Sequence, residues 1–175
     1  NIFKFRFYWN NTENKHTAIL LLFENFAVMS TKLPNNKCKN EIIKELVLIM
    51  NKYNKSKRVI FVGDFNTDID GISNKNNLET SLFDNKFKDM WRILRFNETG
   101  FTLNTQKNTM LRKIVNKSIY IRRDAIMYGG KDINPKSINM IGKSKLVIEE
   151  NDKIKSDIFP STHYGLLGKF WLDFR

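Results

Sequence analysis

Three short clusters carry side chains able to do chemistry together. Asp64 and Asn66 stand just past the apolar run Val59-Ile60-Phe61-Val62 and Gly63. Asp124 follows Arg122 and Arg123 inside an otherwise apolar stretch, and His163 follows Ser161 and Thr162 near the C-terminal end. A carboxylate two residues from a carboxamide can hold a water or a metal ion and contact a phosphate oxygen. The plainer alternative is an Asx turn, in which both side chains tie up local backbone. Charges at Arg122, Arg123 and Asp124, set among Ile119, Ile121, Ile126 and Met127, are unusual in a strand unless they line a site at its edge. The plainer reading of His163 is a half-buried histidine satisfied by its neighbours.

The elements that must position these groups are legible in the apolar pattern. Val59 to Val62 is a buried strand by its β-branched content, and Gly63 ends it. Polar residues just past such a strand sit at the rim of a sheet, where sites are usually built. Ile42, Ile43, Leu46, Val47, Ile49, Met50 and Tyr53 recur at helical spacing and predict an amphipathic helix with a core-facing stripe. Strands are predicted over Ile2–Trp9, Thr17–Phe23 and Phe26–Thr31, the last two joined by Glu24-Asn25 as a hairpin. Leu78–Phe83 and Phe87–Phe96 read as short helical pieces, and Phe101–Leu103 as a strand. Asn104–Lys117 reads as a basic loop whose Lys107, Arg112 and Lys113 suit a phosphate backbone, although such loops are commonly just solvated. Ser118–Tyr128, Ser137–Ile141, Leu146–Ile148 and Leu166–Leu172 follow as strands, with a charged loop over Asn151–Asp157. Strand, helix and strand in succession imply α/β layering. Many short strands with few helices fit a two-sheet sandwich better than a Rossmann fold, and there is no Gly-rich phosphate loop.

Composition narrows the setting. A chain of 175 residues, 41% of them hydrophobic, is long enough for one domain with a real core. The single cysteine, Cys38, excludes an internal disulfide and a cysteine metal cluster, and suits a reducing, intracellular location. No apolar run approaches the roughly 20 residues that span a bilayer. A formal charge of +12 and a pI near 9.8 favour a polyanion partner, above all nucleic acid. The bland alternative is compositional drift, since the chain is crowded with Asn, Lys and Ile.

Taken in order, Gly63-Asp64-Phe65-Asn66, Arg122-Arg123-Asp124-Ala125-Ile126 and Ser161-Thr162-His163-Tyr164-Gly165-Leu166 resemble the endonuclease/exonuclease/phosphatase superfamily. That family shows G-D-x-N, R-x-D-x-I and S-D-H-x-G-L segments in the same order. Phe101-Thr102-Leu103-Asn104-Thr105 and Phe159-Pro160-Ser161-Thr162-His163-Tyr164-Gly165-Leu166-Leu167 are most similar to the type 2 tyrosyl-DNA phosphodiesterase group. The resemblance runs from about Ala27 to the C-terminus. It implies a single domain, 1–175, in the form of a four-layer α/β sandwich of two mostly antiparallel sheets flanked by helices. It also implies hydrolysis of nucleic-acid phosphoesters, removal of 5′-tyrosyl adducts in DNA repair included, with Mg²⁺ or Mn²⁺ as cofactor. The expected partner is nucleic acid, DNA ahead of RNA, for a monomer with no membrane association. By position, Asp64 would orient or activate the attacking water and Asn66 would contact the scissile phosphate. His163 would stabilise the phosphoryl oxygens, held by Asp124, with Arg122 in support. Lys32, Arg122, Lys107, Arg112 and Lys113 are the expected phosphate or nucleic-acid contacts.

The chain departs from the pattern at named positions. Thr162 replaces the aspartate of S-D-H, which supports the metal site in the family, and a hydroxyl lacks the charge a magnesium site relies on. Lys32 stands where V-x-T-H-L has histidine, and Leu103 where Y-T-W-D-T has tryptophan. The family's glutamate ligand has no match in residues 1–17, so the metal ligands stay unassigned. The chain begins at Asn1, not Met, and reads as the C-terminal portion of an N-terminally truncated domain. The alternative is a catalytically degenerate relative that binds nucleic acid or a protein partner without turnover.

Overall fold

A computed structural model describes residues 2–7, 16–35, 39–54, 58–70, 87–150 and 153–172 of the chain. In order, the elements begin with β1 (Ile2–Phe7), β2 (His16–Leu22), β3 (Phe26–Lys32), α1 (Lys39–Asn54), β4 (Arg58–Asp64), β5 (Lys88–Asp89) and α2 (Met90–Leu94). They continue with β6 (Leu103–Asn104), α3 (Thr109–Val115), β7 (Tyr120–Ile121), β8 (Asp124–Gly129), β9 (Ile133–Ile141), β10 (Leu146–Glu150), β11 (Lys153–Ile158) and β12 (Gly165–Leu172). The main sheet has six strands in the order β1-β2-β3-β4-β8-β5. Only β3 and β4 are parallel, joined through α1; the other pairings in this sheet are antiparallel.

Strand alternation gives the sheet two apolar faces. On one face Ala18, Leu20, Ala27, Met29, Val59, Phe61, Ala125 and Met127 pack against Ile42, Ile43, Leu46, Val47 and Met50 of α1. Full burial of each large side chain there contributes roughly 1.5–3 kcal/mol before entropy is counted. The opposite face offers Ile60, Val62, Ile126 and Tyr128 to a second layer, formed by Met90 and Trp91 of α2 and by the antiparallel pair β9–β12. The two layers approach closely at Gly168, where a Cβ would lie 2.8 Å from Met90 Sδ and 2.9 Å from Ile126 Cδ1. This is the two-sheet α/β sandwich that the sequence implies. The far side of β9–β12 carries Ile141, Leu167 and Trp171 at 48%, 48% and 61% exposure, so the described residues leave that face largely open.

Local readings needed correction, and the strand read at Phe101–Leu103 shrinks and shifts to Leu103–Asn104. The helical reading of Phe87–Phe96 shrinks to Met90–Leu94, because Lys88–Asp89 add a strand edge and the Asp89 carboxylate caps the helix by accepting from Trp91 N at 2.9 Å. Asn104–Lys117 is not an open loop. Asn108 caps α3 there, accepting from Leu111 N at 3.0 Å, and Asn116 ends the helix in a left-handed conformation. The interruption of Ser118–Tyr128 at its Arg122-Arg123-Asp124 charges is real, but it divides the stretch into β7 and β8 of different sheets, with Asp124 inside β8. Most of Asn151–Asp157, read as a charged loop, lies in the strand Lys153–Ile158, which pairs with β10. The predicted helix Leu78–Phe83 lies outside the described residues, as do residues 8–15 and 55–57.

Candidate active site

The register of three central strands builds the base of the site. Lys32 lies opposite Asp64, and Asp64 opposite Asp124, so one row crosses β3, β4 and β8 at their shared end. Alternation puts Asp64 on the same face as Ile60 and Val62, and Asp124 on the same face as Ile126 and Tyr128. Both carboxylates therefore face the second layer. Gly63 makes this row fit. Its φ is +150°, and a Cβ there would lie 1.8 Å from the Thr31 carbonyl oxygen on β3.

The second layer delivers the imidazole. His163 ends the segment before β12, and its Nδ1 lies 2.8 Å from Asp124 Oδ2. An ionised carboxylate can only accept, so Nδ1 carries the proton and Nε2 is left for a substrate. Asp64, Asp124 and His163 are each half-buried, and one ligand atom from each lies within 4.8 Å of the others.

Two buried residues fix this meeting of layers. Thr102, with no exposed surface, accepts at Oγ1 from Arg123 N at 3.0 Å and from Asp124 N at 3.2 Å. Its carbonyl accepts from Tyr164 N at 2.8 Å, so one residue ties the Asp124 strand to the His163 segment. Asn108, also fully buried, donates from Nδ2 to the carbonyls of Ser161 and Thr162 at 2.9 and 3.3 Å. The Ser161 hydroxyl accepts from His163 N at 3.1 Å.

The turn after β4 bears out the Asx-turn reading of Gly-Asp-x-Asn. Asp64 Oδ1 accepts from Asn66 N at 2.8 Å, which is an Asx turn, and Asn66 takes a left-handed φ of 49°. Asn66 Nδ2 donates to the Leu33 carbonyl at 3.2 Å, and Asn66 Oδ1 accepts from Arg123 Nη1 at 3.1 Å. Asn66 thus stands beside Asp64 with one amide proton already used. Lys39, at the start of α1, donates from Nζ to the Asn66 carbonyl at 3.3 Å. Partial burial, then the Arg123 charge, hold the Lys39 ammonium below the usual lysine range.

The expected phosphate contacts separate. Lys32 is 76% exposed and sits 3.7 Å from Asp64 Oδ2, a pairing worth little in water. Lys107, Arg112 and Lys113 are exposed on the turn before α3 and on α3 itself. Lys107 lines an open cavity of about 470 Å³ with Arg95, Phe101 and Lys143, whereas Arg112 lines a different one. Arg122 requires a correction. It has no exposed surface, so it cannot touch a surface polyanion. Its Nε and Nη2 donate to Asp70 at 3.0 and 2.6 Å, and Nη2 also pairs with Asp89. Arg92 Nε donates to the same Asp70 at 2.9 Å. Burial alone would raise the Asp70 pKa, but the hydrogen bonds and charges of Arg122 and Arg92 outweigh it and hold the carboxyl below its ordinary range. Burial likewise opposes the Arg122 charge, and Asp70 and Asp89 more than offset it, so Arg122 stays protonated.

Sequence reasoning missed Thr102, Asn108, Asp70, Asp89 and Lys39, and flagged Arg123 only as one of the charges at a strand edge. For Thr102 a signal existed, because the Phe101–Thr105 segment already stood out. The pairing of Asp70 and Asp89 with Arg122 spans tens of residues and has no local pattern.

No protein-family model matches the sequence, and no curated protein sequence does. Solved structures do match the fold. TDP2 from D. rerio, complexed with single strand DNA product, superposes with a TM-score of 0.64 at 18% identity, over 95% of this chain and 66% of that one. An endonuclease/exonuclease/phosphatase family protein from Bacteroides thetaiotaomicron gives 0.67 at 14% identity, over 100% of this chain and 66% of that one. A mannosyl-6-phosphatase from the same bacterium gives 0.64 at 14%, over 97% and 65%. The fold is thus that of endonuclease/exonuclease/phosphatase proteins, and the chain spans about two thirds of the length of these structures.

Proposed function

We propose that the chain is the part of a phosphoesterase that carries its Asp-Asp-His site, acting on nucleic-acid phosphoesters with a divalent metal. The observation that supports this most is the Asp124–His163 pair facing Asp64 at the rim between the two layers. Asp64 orients the attacking water and accepts its proton. The His163 Nε2 side faces the phosphoryl oxygens, while Asp124 fixes the ring through Nδ1. Asn66 offers its remaining amide proton to a phosphate oxygen.

The carboxylates of Asp64 and Asp124 lie close enough together to offer a divalent ion the oxygen donors that Mg²⁺ or Mn²⁺ prefers, with His163 left to its bond with Asp124. Such an ion would supply Lewis acidity toward a phosphoryl oxygen. The basic surface and the +12 charge favour nucleic acid, DNA ahead of RNA, as the polymer. Among the described residues no helix is long and apolar enough to cross a membrane.

The deciding experiment is magnesium-dependent cleavage of a 5′-phosphotyrosyl oligonucleotide, with an abasic duplex and His163→Ala alongside. Cleavage that falls on the order of 100-fold or more in the variant, and is lost with chelator, is expected. Thr162 favours a second reading, a relative that binds without turnover, because it places a neutral hydroxyl beside His163. Absent cleavage with salt-sensitive DNA binding, and cleavage gained by Thr162→Asp, would establish that reading and overturn the first.

A further inference from the structure

Two cations converge on Asn66, whose backbone N–H is held by Asp64. Arg123 is half-buried, uses Nη1 on Asn66 Oδ1, and leaves Nε buried without a hydrogen-bond partner. Lys39 is half-buried as well, with Nζ on the Asn66 carbonyl. Among the described residues neither cation has an ion-pair partner, whereas Arg122, one position away, has two. Holding two like charges together and out of water is unfavourable unless something negative joins them. Partial burial, and then the Arg123 charge, lower the affinity of Lys39 for its proton, in keeping with two cations held near each other.

We propose that Arg123 and Lys39 form an anion seat beside Asn66 whose ligand is a phosphate group. The choice of phosphate over other anions rests on the phosphoesterase reading. Its position argues the same way. The seat shares Asn66 with the turn that carries Asp64, and Arg123 directly precedes Asp124. A phosphate there would meet the guanidinium edge that the Asn66 bond leaves over together with an ammonium, a pairing that supplies direction as well as charge. The row Lys32–Asp64–Asp124 offers no such pair, because Lys32 is already beside Asp64 and mostly in water.

The test measures equilibrium binding in the presence of chelator, where turnover plays no part. Inorganic phosphate, a mononucleotide and a 5′-phosphorylated single-stranded oligonucleotide are titrated against the chain, Arg123→Gln, Lys39→Met and, as a control for loss of one exposed charge, Lys169→Gln. Expected is binding that weakens tenfold or more in Arg123→Gln and in Lys39→Met, but by less than threefold in Lys169→Gln. Lys39→Arg, which keeps the charge, should recover most of the affinity and guards against a folding defect. Preference for the oligonucleotide over the mononucleotide names a polymer backbone as the source, and the reverse names a small phosphorylated compound. Unchanged binding in both seat variants would overturn the seat. Failure of cleavage with the seat intact would instead remove the phosphoesterase reading and leave an anion-binding protein.

Discussion

Replacing Arg122 with methionine separates a structural role from a substrate contact. Arg122 has no exposed side-chain surface, Asp89 none, and Asp70 14%. The Arg122→Met substitution would leave Asp89 as a buried charge without its partner, while Asp70 would keep Arg92. Asp89 would not simply neutralise without consequence, because its carboxylate also caps α2. Breaking one side of a buried pair costs about 3–5 kcal/mol. Against a typical total of about 5–15 kcal/mol, that is a large fraction. For a chain of this length it corresponds to a fall in Tm of about 6–20 °C, at about 2–4 °C per kcal/mol. The assay is urea unfolding followed by tryptophan fluorescence, to which Trp91, buried between the layers, contributes alongside Trp9 and Trp171. Phosphate binding of the folded protein is measured in parallel and is expected to stay within about threefold, the free-energy equivalent of about 0.7 kcal/mol. Adding Asp89→Asn should recover part of the loss, because the stranded charge goes. A stability loss under about 1 kcal/mol, or a stable variant with sharply weaker phosphate binding, would refute the reasoning and return Arg122 to the substrate.

Two further outcomes test the scaffold. Thr102→Val removes the oxygen that accepts from Arg123 N and Asp124 N, leaving two buried donors unpaired at about 1–3 kcal/mol each; turnover should fall more than stability alone explains, and normal turnover at a lowered Tm would show that Thr102 does not position Asp124. Asp70 has a depressed folded-state pKa, so its contribution is complete above the ordinary carboxyl range near about 4 and is lost as pH falls through the lower folded value; Asp70→Asn should lower the urea midpoint at pH 7 and flatten its decline below about pH 4, and an unchanged acid limb would contradict the pairing.

The central sheet was legible because its signals are local. Val59–Val62, the hairpin at Glu24-Asn25 and the stripe of α1 each lie within one window of sequence. The positions of Asp64, Asp124 and His163 followed from strand ends and from the resemblance, since alternation alone puts polar residues at a rim without saying which rim. The elements that escaped are held by contacts distant in sequence. Helix α3 buries only Leu111, so it shows no stripe, and its stability comes from Asn108 at one end and Asn116 at the other. Arg122 resembles a site residue in sequence because a charge amid apolar neighbours signals function or a buried pair equally well. Only Asp70 and Asp89, far away along the chain, decide between them.

The charge on Asp64 is the strongest physical sign that this rim serves more than the fold. Asp64 makes the turn to Asn66 through one oxygen, and an asparagine would make the same bond without a charge. Its neighbour across the strand is another carboxylate, Asp124, and like charges directly opposite each other in an antiparallel pair are destabilising. Lys32 offsets little of this, being 76% exposed and 3.7 Å away. Asp124 has a partner in His163, but that pair draws the imidazole to the same rim instead of relieving Asp64. Arg123 and Lys39 then bring positive charge onto Asn66 itself, where it pairs with neither carboxylate. A protein that needed only to fold would do better with these charges removed or paired with each other. Left unpaired around one asparagine, they suit a ligand with both a group to be attacked and oxygens to be held, which is the chemistry of a phosphate ester.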